Sequence, residues 1–237
     1  MKVLVTGATG FVGRDVVAAL AALPEDARLV PLLPWWIERA ALLVAGVYLV
    51  NIVNFMDGID WITVAETVPI TAGVFLLALL GAVPDPPALI ALALLGATLG
   101  FAPFNRPVAR LFLGDGGSLP IGLVLGWMLL QLAGSGHVAA ALLLPLYYVA
   151  DATLTLLRRM ARGERITQAH RSHFYQVATT RGYSVMGVVQ RVFGVNVVLV
   201  WLAVATVLFD SIVFDVIALL LGAAEVALLL RALARGR

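Results

Sequence analysis

The run NIVNFMDGID, residues 51–60, carries the first group of side chains whose types and spacing suit chemistry. Asn51 and Asn54 lie three positions apart, so they share one face of a helix, and Asp57 and Asp60 repeat that spacing just beyond them. Amides and carboxylates placed in this way can converge on one polar pocket. Carboxylates at the end of an apolar helix are costly unless they are solvated, paired or used, which favours a functional pocket over a plain polar helix end.

A second polar segment, FNRPVARLFLGDGGSLPIG, spans residues 104–122 and places three glycines around Asp115. The glycines give the backbone freedom beside this lone carboxylate, and Ser118 is predicted to cap the helix that follows. A loop of this kind can hold a metal-bound diphosphate with few side chains in the way. The alternative is an ordinary loop at the start of a helix.

The third segment, residues 151–176, is the most basic part of the chain and ends in HRSHFYQ, residues 170–176. Five arginines and two histidines fall between Arg158 and His173, and they supply cations and donors that suit phosphates. A basic loop can also orient a protein in the membrane or contact anionic lipids. The compact histidine motif favours the phosphate-binding interpretation.

Together the three segments resemble the motifs of the polyprenyl-phosphate N-acetylhexosamine-1-phosphate transferases, glycosyltransferase family 4. The first segment is similar to the family's Asn-x-x-Asn-x-x-Asp-Gly-x-Asp signature, although Trp61 stands where the family usually has glycine. The resemblance implies transfer of a sugar-1-phosphate from a UDP-N-acetylhexosamine to undecaprenyl phosphate, with release of UMP. In the family this step begins the synthesis of lipopolysaccharide O-antigen or another cell-envelope glycan.

The same resemblance implies roles for individual residues. The catalytic carboxylates would be Asp57, Asp60 and Asp115, and Asp115 would also bind Mg²⁺. The residues that bind the nucleotide sugar would be Asn51, Asn54, Asn105, His170, Arg171 and His173. The magnesium would neutralise the diphosphate and orient it for attack by the lipid phosphate.

The composition of the whole chain indicates a membrane protein. The 237 residues are 62% hydrophobic and 13% charged, with a mean hydropathy of +1.00, whereas soluble domains carry about 25% charged residues. The absence of cysteine from the sequence excludes disulfides, thiolate metal sites and cysteine nucleophiles. The basic residues lie between apolar stretches, where they orient a protein in the membrane, so nucleic-acid binding is not expected.

Seven apolar stretches are long enough to cross a bilayer, which predicts an all-α polytopic membrane protein with about seven transmembrane helices. They cover residues 37–53, 67–83, 88–104, 119–134, 138–157, 189–209 and 212–230. The connections on one side, with the C-terminal tail, hold eleven arginines, whereas those on the other side hold no lysine or arginine. Cationic loops resist translocation, so the arginine-rich face is expected to be cytoplasmic. The resemblance implies the bacterial inner membrane.

Residues 1–30 form a different kind of sequence. A short strand pattern, GATGFVG at residues 7–13 and a helical run resemble the first βα unit of the extended short-chain dehydrogenases and sugar-nucleotide epimerases. One βα unit cannot build a nucleotide crevice, so dinucleotide binding is not expected. We therefore expect a Rossmann-like βα fragment at residues 1–30, followed by a membrane domain at residues 31–237.

The membrane domain resembles only the later part of a family member. Family members carry an earlier loop with an Asp-Asp pair that helps to bind magnesium and the lipid phosphate, and this sequence has no Asp-Asp dipeptide. The expectation is an N-terminally truncated transferase, and the alternative is an inactive membrane remnant that at most binds UDP-sugar. A secondary transporter fits less well because its polar sites should lie near the bilayer midplane. Whether the chain forms a homo-oligomer is left open.

Overall fold

The computed structural model describes residues 34–165, 168 and 170–236. Within these residues the chain forms nine α-helices, which we number in chain order. They are α1 (Trp35–Met56), α2 (Ile62–Leu79), α3 (Asp85–Asn105), α4 (Gly114–Gly134), α5 (Val138–Leu143), α6 (Leu146–Ala161), α7 (Phe174–Thr180), α8 (Val185–Phe209) and α9 (Ile212–Arg235).

Five of these helices are long and apolar enough to cross a bilayer, namely α1, α2, α4, α8 and α9. Helix α3 contains a shorter apolar stretch, Asp85–Phe101. The described residues contain no strand, so the prediction of a helical, polytopic membrane protein is confirmed for that part of the chain. The number of seven spans stays a prediction. The expected βα fragment at residues 1–30 lies outside the described residues.

Two predicted spans have different boundaries in the structure. The span predicted at 67–83 is α2, which ends at Leu79 because Gly81 takes a positive φ of 79°, a conformation that terminates helices. The span predicted at 138–157 is not one continuous helix, because it is divided into α5 and α6 at Leu144 and Pro145. Proline has no backbone N–H to donate to the carbonyl four residues earlier, so a regular helix breaks there.

The glycine-rich segment is helical from Gly114 onward, rather than forming a loop that precedes a helix. Asp115 therefore lies in the first turn of α4, and Ser118 lies inside the helix. The Ser118 hydroxyl donates to the Gly114 carbonyl at 2.9 Å, a bond between residues four apart in the same helix. The predicted role of Ser118 as a helix cap is wrong for this reason.

Helix α1 packs closely against α4, and α2 packs between α3 and α8. A Cβ atom at Gly122 would lie 2.9 Å from the Val50 Cα atom, so only glycine allows the two backbones to approach this far. This contact holds the end of α1 against the beginning of α4. Large side chains on the outer face of α9, such as Leu220 and Leu221, are more than half exposed, as expected for a surface that faces lipid.

The polar connections meet at one end of the helical bundle. The Tyr175 hydroxyl donates to the Phe55 carbonyl at 3.3 Å, which joins the beginning of α7 to the end of α1. The Ala109 N–H donates to an Asp60 carboxylate oxygen at 3.0 Å, which joins the α3–α4 connection to the α1–α2 connection. The three sequence motifs therefore lie at the same end of the molecule.

Candidate active site

Asn54 joins the first motif to the second. Its Nδ2 donates to Asp115 Oδ1 at 2.9 Å and to Ser118 Oγ at 2.8 Å. Ser118 is fully buried, whereas Asp115 is exposed at the beginning of α4. One amide thus fixes the position of an exposed carboxylate, which remains accessible to a ligand.

The two other carboxylates of the first motif are held separately. Asp57 follows the last residue of α1, and its Oδ1 accepts a hydrogen bond of 2.6 Å from the Thr63 hydroxyl. Burial raises the pKa of Asp57 above its ordinary value, and the Thr63 hydrogen bond opposes that rise. Asp60 accepts the Ala109 N–H described above. The side chains of Asp57 and Asp60 are both half-buried, so each remains partly accessible to solvent.

Trp61 adopts a conformation that favours glycine. Its φ is +66°, and it directly precedes α2. The backbone N–H of Trp61 donates to Asn105 Oδ1 at 2.8 Å, and its indole Nε1 donates to the Ala102 carbonyl at 2.6 Å. Asn105 in turn donates from Nδ2 to the Leu111 carbonyl at 2.9 Å. These bonds compensate the unfavourable backbone at Trp61 and connect it to α3.

Asn51 and Asn105 bond to backbone in this structure. The Nδ2 group of Asn51 donates to the Val47 carbonyl of its own helix at 2.7 Å. Asn105 is buried, and both ends of its amide bond to the polar connections around it. Their roles in substrate binding therefore stay predictions. Asn105 joins the α1–α2 connection to the α3–α4 connection through its hydrogen bonds to Trp61 and Leu111.

The histidine motif is organised by Asp151, a buried carboxylate on α6 that the sequence analysis did not select. Asp151 Oδ1 lies 3.2 Å from His173 Nδ1 and accepts the Phe174 N–H at 3.1 Å. Its Oδ2 accepts the Tyr175 N–H at 3.3 Å. Asp151 and His173 are both buried, so the carboxylate fixes the imidazole ring and the start of α7 together. A charged residue in a largely apolar helix was the signal that could have identified it.

The two histidines lie side by side, with ring centres 4.9 Å apart. His170 Nδ1 lies 2.9 Å from the Ser172 hydroxyl. Burial, helped by the charges of His173 and Arg159, lowers the pKa of His170 to about 4. His170 is therefore neutral near pH 7. Arg171 is exposed and carries the positive charge of this motif toward solvent.

The third motif also packs directly on the first. Any Cβ atom at Gly58 would overlap the hydroxyl of Tyr175, so the close approach requires glycine. The same hydroxyl donates to the Phe55 carbonyl. Among the described residues, no three acidic or histidine side chains are grouped as in a metal cage made by protein alone.

A family model described as glycosyl transferase family 4 matches residues 3–133. The decaprenyl-phosphate N-acetylglucosaminephosphotransferase of Mycobacterium tuberculosis is 30% identical over 220 residues, which cover 80% of this chain and 53% of the relative. The protein of the same name from Mycolicibacterium smegmatis is 29% identical over 187 residues, 69% of this chain and 46% of the relative. The chain belongs to glycosyl transferase family 4, a family of phosphosugar transferases.

A second branch of the family is also similar. A phospho-N-acetylmuramoyl-pentapeptide-transferase of Synechococcus is 33% identical over 159 residues, 64% of this chain and 45% of the relative. The chain spans about half the length of the curated relatives it matches. These matches confirm the resemblance found in the motifs. The match to the family model begins at residue 3, and the division at residue 30 stays a prediction.

Proposed function

We propose that this chain transfers a sugar-1-phosphate from a UDP-N-acetylhexosamine to a polyprenyl phosphate, undecaprenyl phosphate, and releases UMP. The observation that carries the proposal is the contact of Asn54 with both Asp115 and Ser118, which joins two motifs of the family in one site. The named relatives use decaprenyl phosphate in two cases, so acceptor length is part of the test.

The reaction exchanges one phosphoanhydride bond for another. An oxygen of the acceptor phosphate bonds to the phosphorus that carries the sugar, and the bond from that phosphorus to the bridging oxygen of UMP breaks. Phosphoryl transfer depends mainly on positioning and on charge stabilisation. Asp57 and Asp60 are the proposed pocket carboxylates, and their hydrogen bonds to Thr63 and Ala109 hold them in place.

The donor chemistry at Asp115 fits a Mg²⁺ ion. Mg²⁺ is usually bound by one or two protein carboxylates, with waters and substrate phosphates completing its shell. Asp115 is exposed and oriented by Asn54, which suits such an open site better than a cage of protein ligands. When bound, the ion would neutralise charge on the diphosphate. Asp115 is the residue proposed to hold it.

The histidine motif is proposed to face the phosphates of the nucleotide sugar. His173 is fixed by Asp151, so its ring is already oriented before substrate arrives. Because His170 is neutral near pH 7, it can offer a hydrogen bond but no full charge. The exposed guanidinium of Arg171 is the cation of this group.

The proposed location is the bacterial inner membrane, with the site on its cytoplasmic face. The motifs gather at the arginine-rich end of the bundle, and arginine-rich ends stay in the cytoplasm. A product linked to a lipid on that face would begin O-antigen or another cell-envelope glycan.

The experiment is product analysis with the purified chain. Radiolabelled UDP-N-acetylglucosamine and UDP-N-acetylgalactosamine are each incubated with undecaprenyl or decaprenyl phosphate and Mg²⁺, and the lipid fraction is analysed by mass spectrometry. We expect one donor to give a polyprenyl diphosphate-linked sugar together with an equal amount of UMP. Binding of UDP without any lipid product would support the alternative of a protein that binds UDP-sugar but does not transfer it.

A further inference from the structure

A cavity of about 190 Å³ lies between the end of α6, helix α7 and the end of α9. Four arginines line it together with two hydroxyl residues: Arg158, Arg159, Arg162, Arg181, Thr155 and Ser172. Guanidinium groups present planar pairs of N–H donors that match the oxygens of phosphate. The cavity therefore has both the charge and the donors of an anion site.

Other contacts hold the guanidinium groups in position. Arg158 lies over the ring of Phe174, with its guanidinium carbon 4.2 Å from the ring centre. Arg181 donates to the Ala234 carbonyl at the end of α9. Arg159 donates from Nη2 to the Arg165 carbonyl at 2.8 Å. Side chains that are already ordered lose less entropy when a ligand binds, so the cavity is preorganised.

The positive charge of the cavity is only partly compensated. Glu164 lies 3.3 Å from Arg159 Nε and 3.9 Å from Arg162 Nη1, so one carboxylate serves two of the four guanidinium groups. Arg159 is only 6% exposed, and its Nε is ion-paired with Glu164 without the geometry of a hydrogen bond. One carboxylate cannot neutralise four guanidinium groups, so an anion in the cavity would supply further negative charge and further acceptors.

This cavity adjoins the histidine motif, because Ser172 lines it and the Ser172 hydroxyl lies 2.9 Å from His170 Nδ1, but it is separate from the first motif. Phe174, Val177 and Arg181 line it from one face of α7, with the spacing of successive helical turns. Tyr175, the residue after Phe174, points away from the cavity, and its hydroxyl bonds to the Phe55 carbonyl in the first motif. The helix thus stands between the cavity and the first motif.

We propose that the four-arginine cavity binds a phosphate group. It lies where α6 and α9 end, the level at which the head groups of anionic phospholipids lie beside a protein with helices in the bilayer. A free phosphate, inorganic or on a soluble molecule, offers the same chemistry. The proposal concerns a binding site beside the transfer reaction and does not depend on it.

The test compares two pairs of substitutions in the full chain, purified in a neutral detergent. Arg158→Gln with Arg162→Gln removes two exposed cations from the cavity. Arg191→Gln with Arg231→Gln removes the same charge from exposed positions outside it. Native mass spectrometry measures retained phosphatidylglycerol, with zwitterionic phosphatidylcholine as comparison, and calorimetric titration measures binding of inorganic phosphate.

We expect the cavity pair to weaken binding by roughly tenfold or more, because charge-assisted hydrogen bonds are lost, while the control pair changes it little. Retention of phosphatidylglycerol that depends on the cavity identifies a lipid head group as the source. Binding of inorganic phosphate without lipid preference identifies a free phosphate. A third pair, Arg158→Lys with Arg162→Lys, keeps the charge and should lose less binding affinity than the Arg158→Gln with Arg162→Gln pair. The unfolding temperature of every variant is measured to show that each is folded.

Two results would overturn the proposal. The first is that neither probe binds the wild-type chain at about 0.15 M salt, where exposed charges are strongly screened. The second is that both glutamine pairs weaken binding equally, because the attraction would then belong to the surface as a whole.

Discussion

Asn54 Nδ2 and Asp115 Oδ1 lie 2.9 Å apart, although 61 positions separate the two residues in the sequence. The same amide group reaches Ser118 at 2.8 Å. This relationship turns two separate motifs into one site, with the carboxylate exposed on one side and oriented from the other. Its loss should affect function more than folding, because Asp115 is already in contact with solvent.

The two asparagines of the first motif should therefore differ in importance. Asn54→Ala removes the group that orients Asp115, and hydrogen bonds to charged groups contribute about 1.5–3 kcal/mol, so transfer should fall by roughly tenfold or more. Asn51→Ala removes a bond within its own helix and should have the smaller effect. The measurement is the initial rate of labelled lipid product at saturating acceptor. Equal losses in the two variants would contradict the proposed role of Asn54.

Asp151 should stabilise the fold through the histidine motif. Asp151→Asn places an amide opposite His173 and two backbone N–H groups, and breaking a buried charged network of this kind costs about 3 kcal/mol or more. The midpoint of thermal unfolding in detergent should fall by several degrees, with weaker UDP binding. Asp85→Asn, at an exposed position of α3, serves as the control and should leave both unchanged. An unaltered midpoint for Asp151→Asn would show that the network is dispensable.

Two substitutions at Trp61 measure the free-energy cost of its positive φ. Trp61→Gly and Trp61→Ala both remove the indole and its bond to Ala102, but only alanine keeps the steric cost of the left-handed conformation. We expect the glycine variant to be more stable than the alanine variant by about 1 kcal/mol, as read from unfolding midpoints. The reverse order would mean that Trp61 does not hold this backbone conformation in solution.

His170 should make the stability of the protein depend on pH. In the unfolded chain it takes up a proton near its ordinary pKa of 6.5, whereas in the folded chain burial lowers the pKa to about 4. Between these values the unfolded state binds more protons, so the free energy of unfolding falls as the pH falls. His170→Asn should flatten this dependence between about pH 6.5 and 4.5. His137→Asn, at the other end of the bundle, is the control, and an unchanged slope in His170→Asn would refute the assignment.

Sequence patterns predicted the helices and the chemical motifs because both are local signals. Apolar stretches identified α1, α4, α8 and α9 to within five residues at each end, since hydrophobicity over about 20 residues is a property of the segment alone. The spacing of Asn54 and Asp57 likewise places them on neighbouring turns without knowledge of the fold. The family was recognisable for the same reason.

The remaining features depend on partners that are distant in sequence. Asp151 gains its role from His173, 22 positions away, and Asn105 is bonded to Trp61, 44 positions away. In the first turns of α4, Ser118 accepts a hydrogen bond from Asn54, 64 positions away. Such contacts are set by tertiary packing, which no local pattern specifies.

The central claim is that the site around Asp115 transfers a sugar-1-phosphate to a lipid phosphate. It is tested most directly by the rate of labelled polyprenyl diphosphate-sugar formation in the wild-type chain, Asp115→Asn and Asp85→Asn. Each of the two substitutions removes one negative charge. Asp85 is the first residue of α3, and Asp115 lies in the first turn of α4. We predict product from the wild-type chain and from Asp85→Asn, and a loss of roughly a hundredfold or more in Asp115→Asn, the size expected when a group that stabilises transition-state charge is removed. Absence of product from the wild-type chain, or an undiminished rate in Asp115→Asn, would contradict the account.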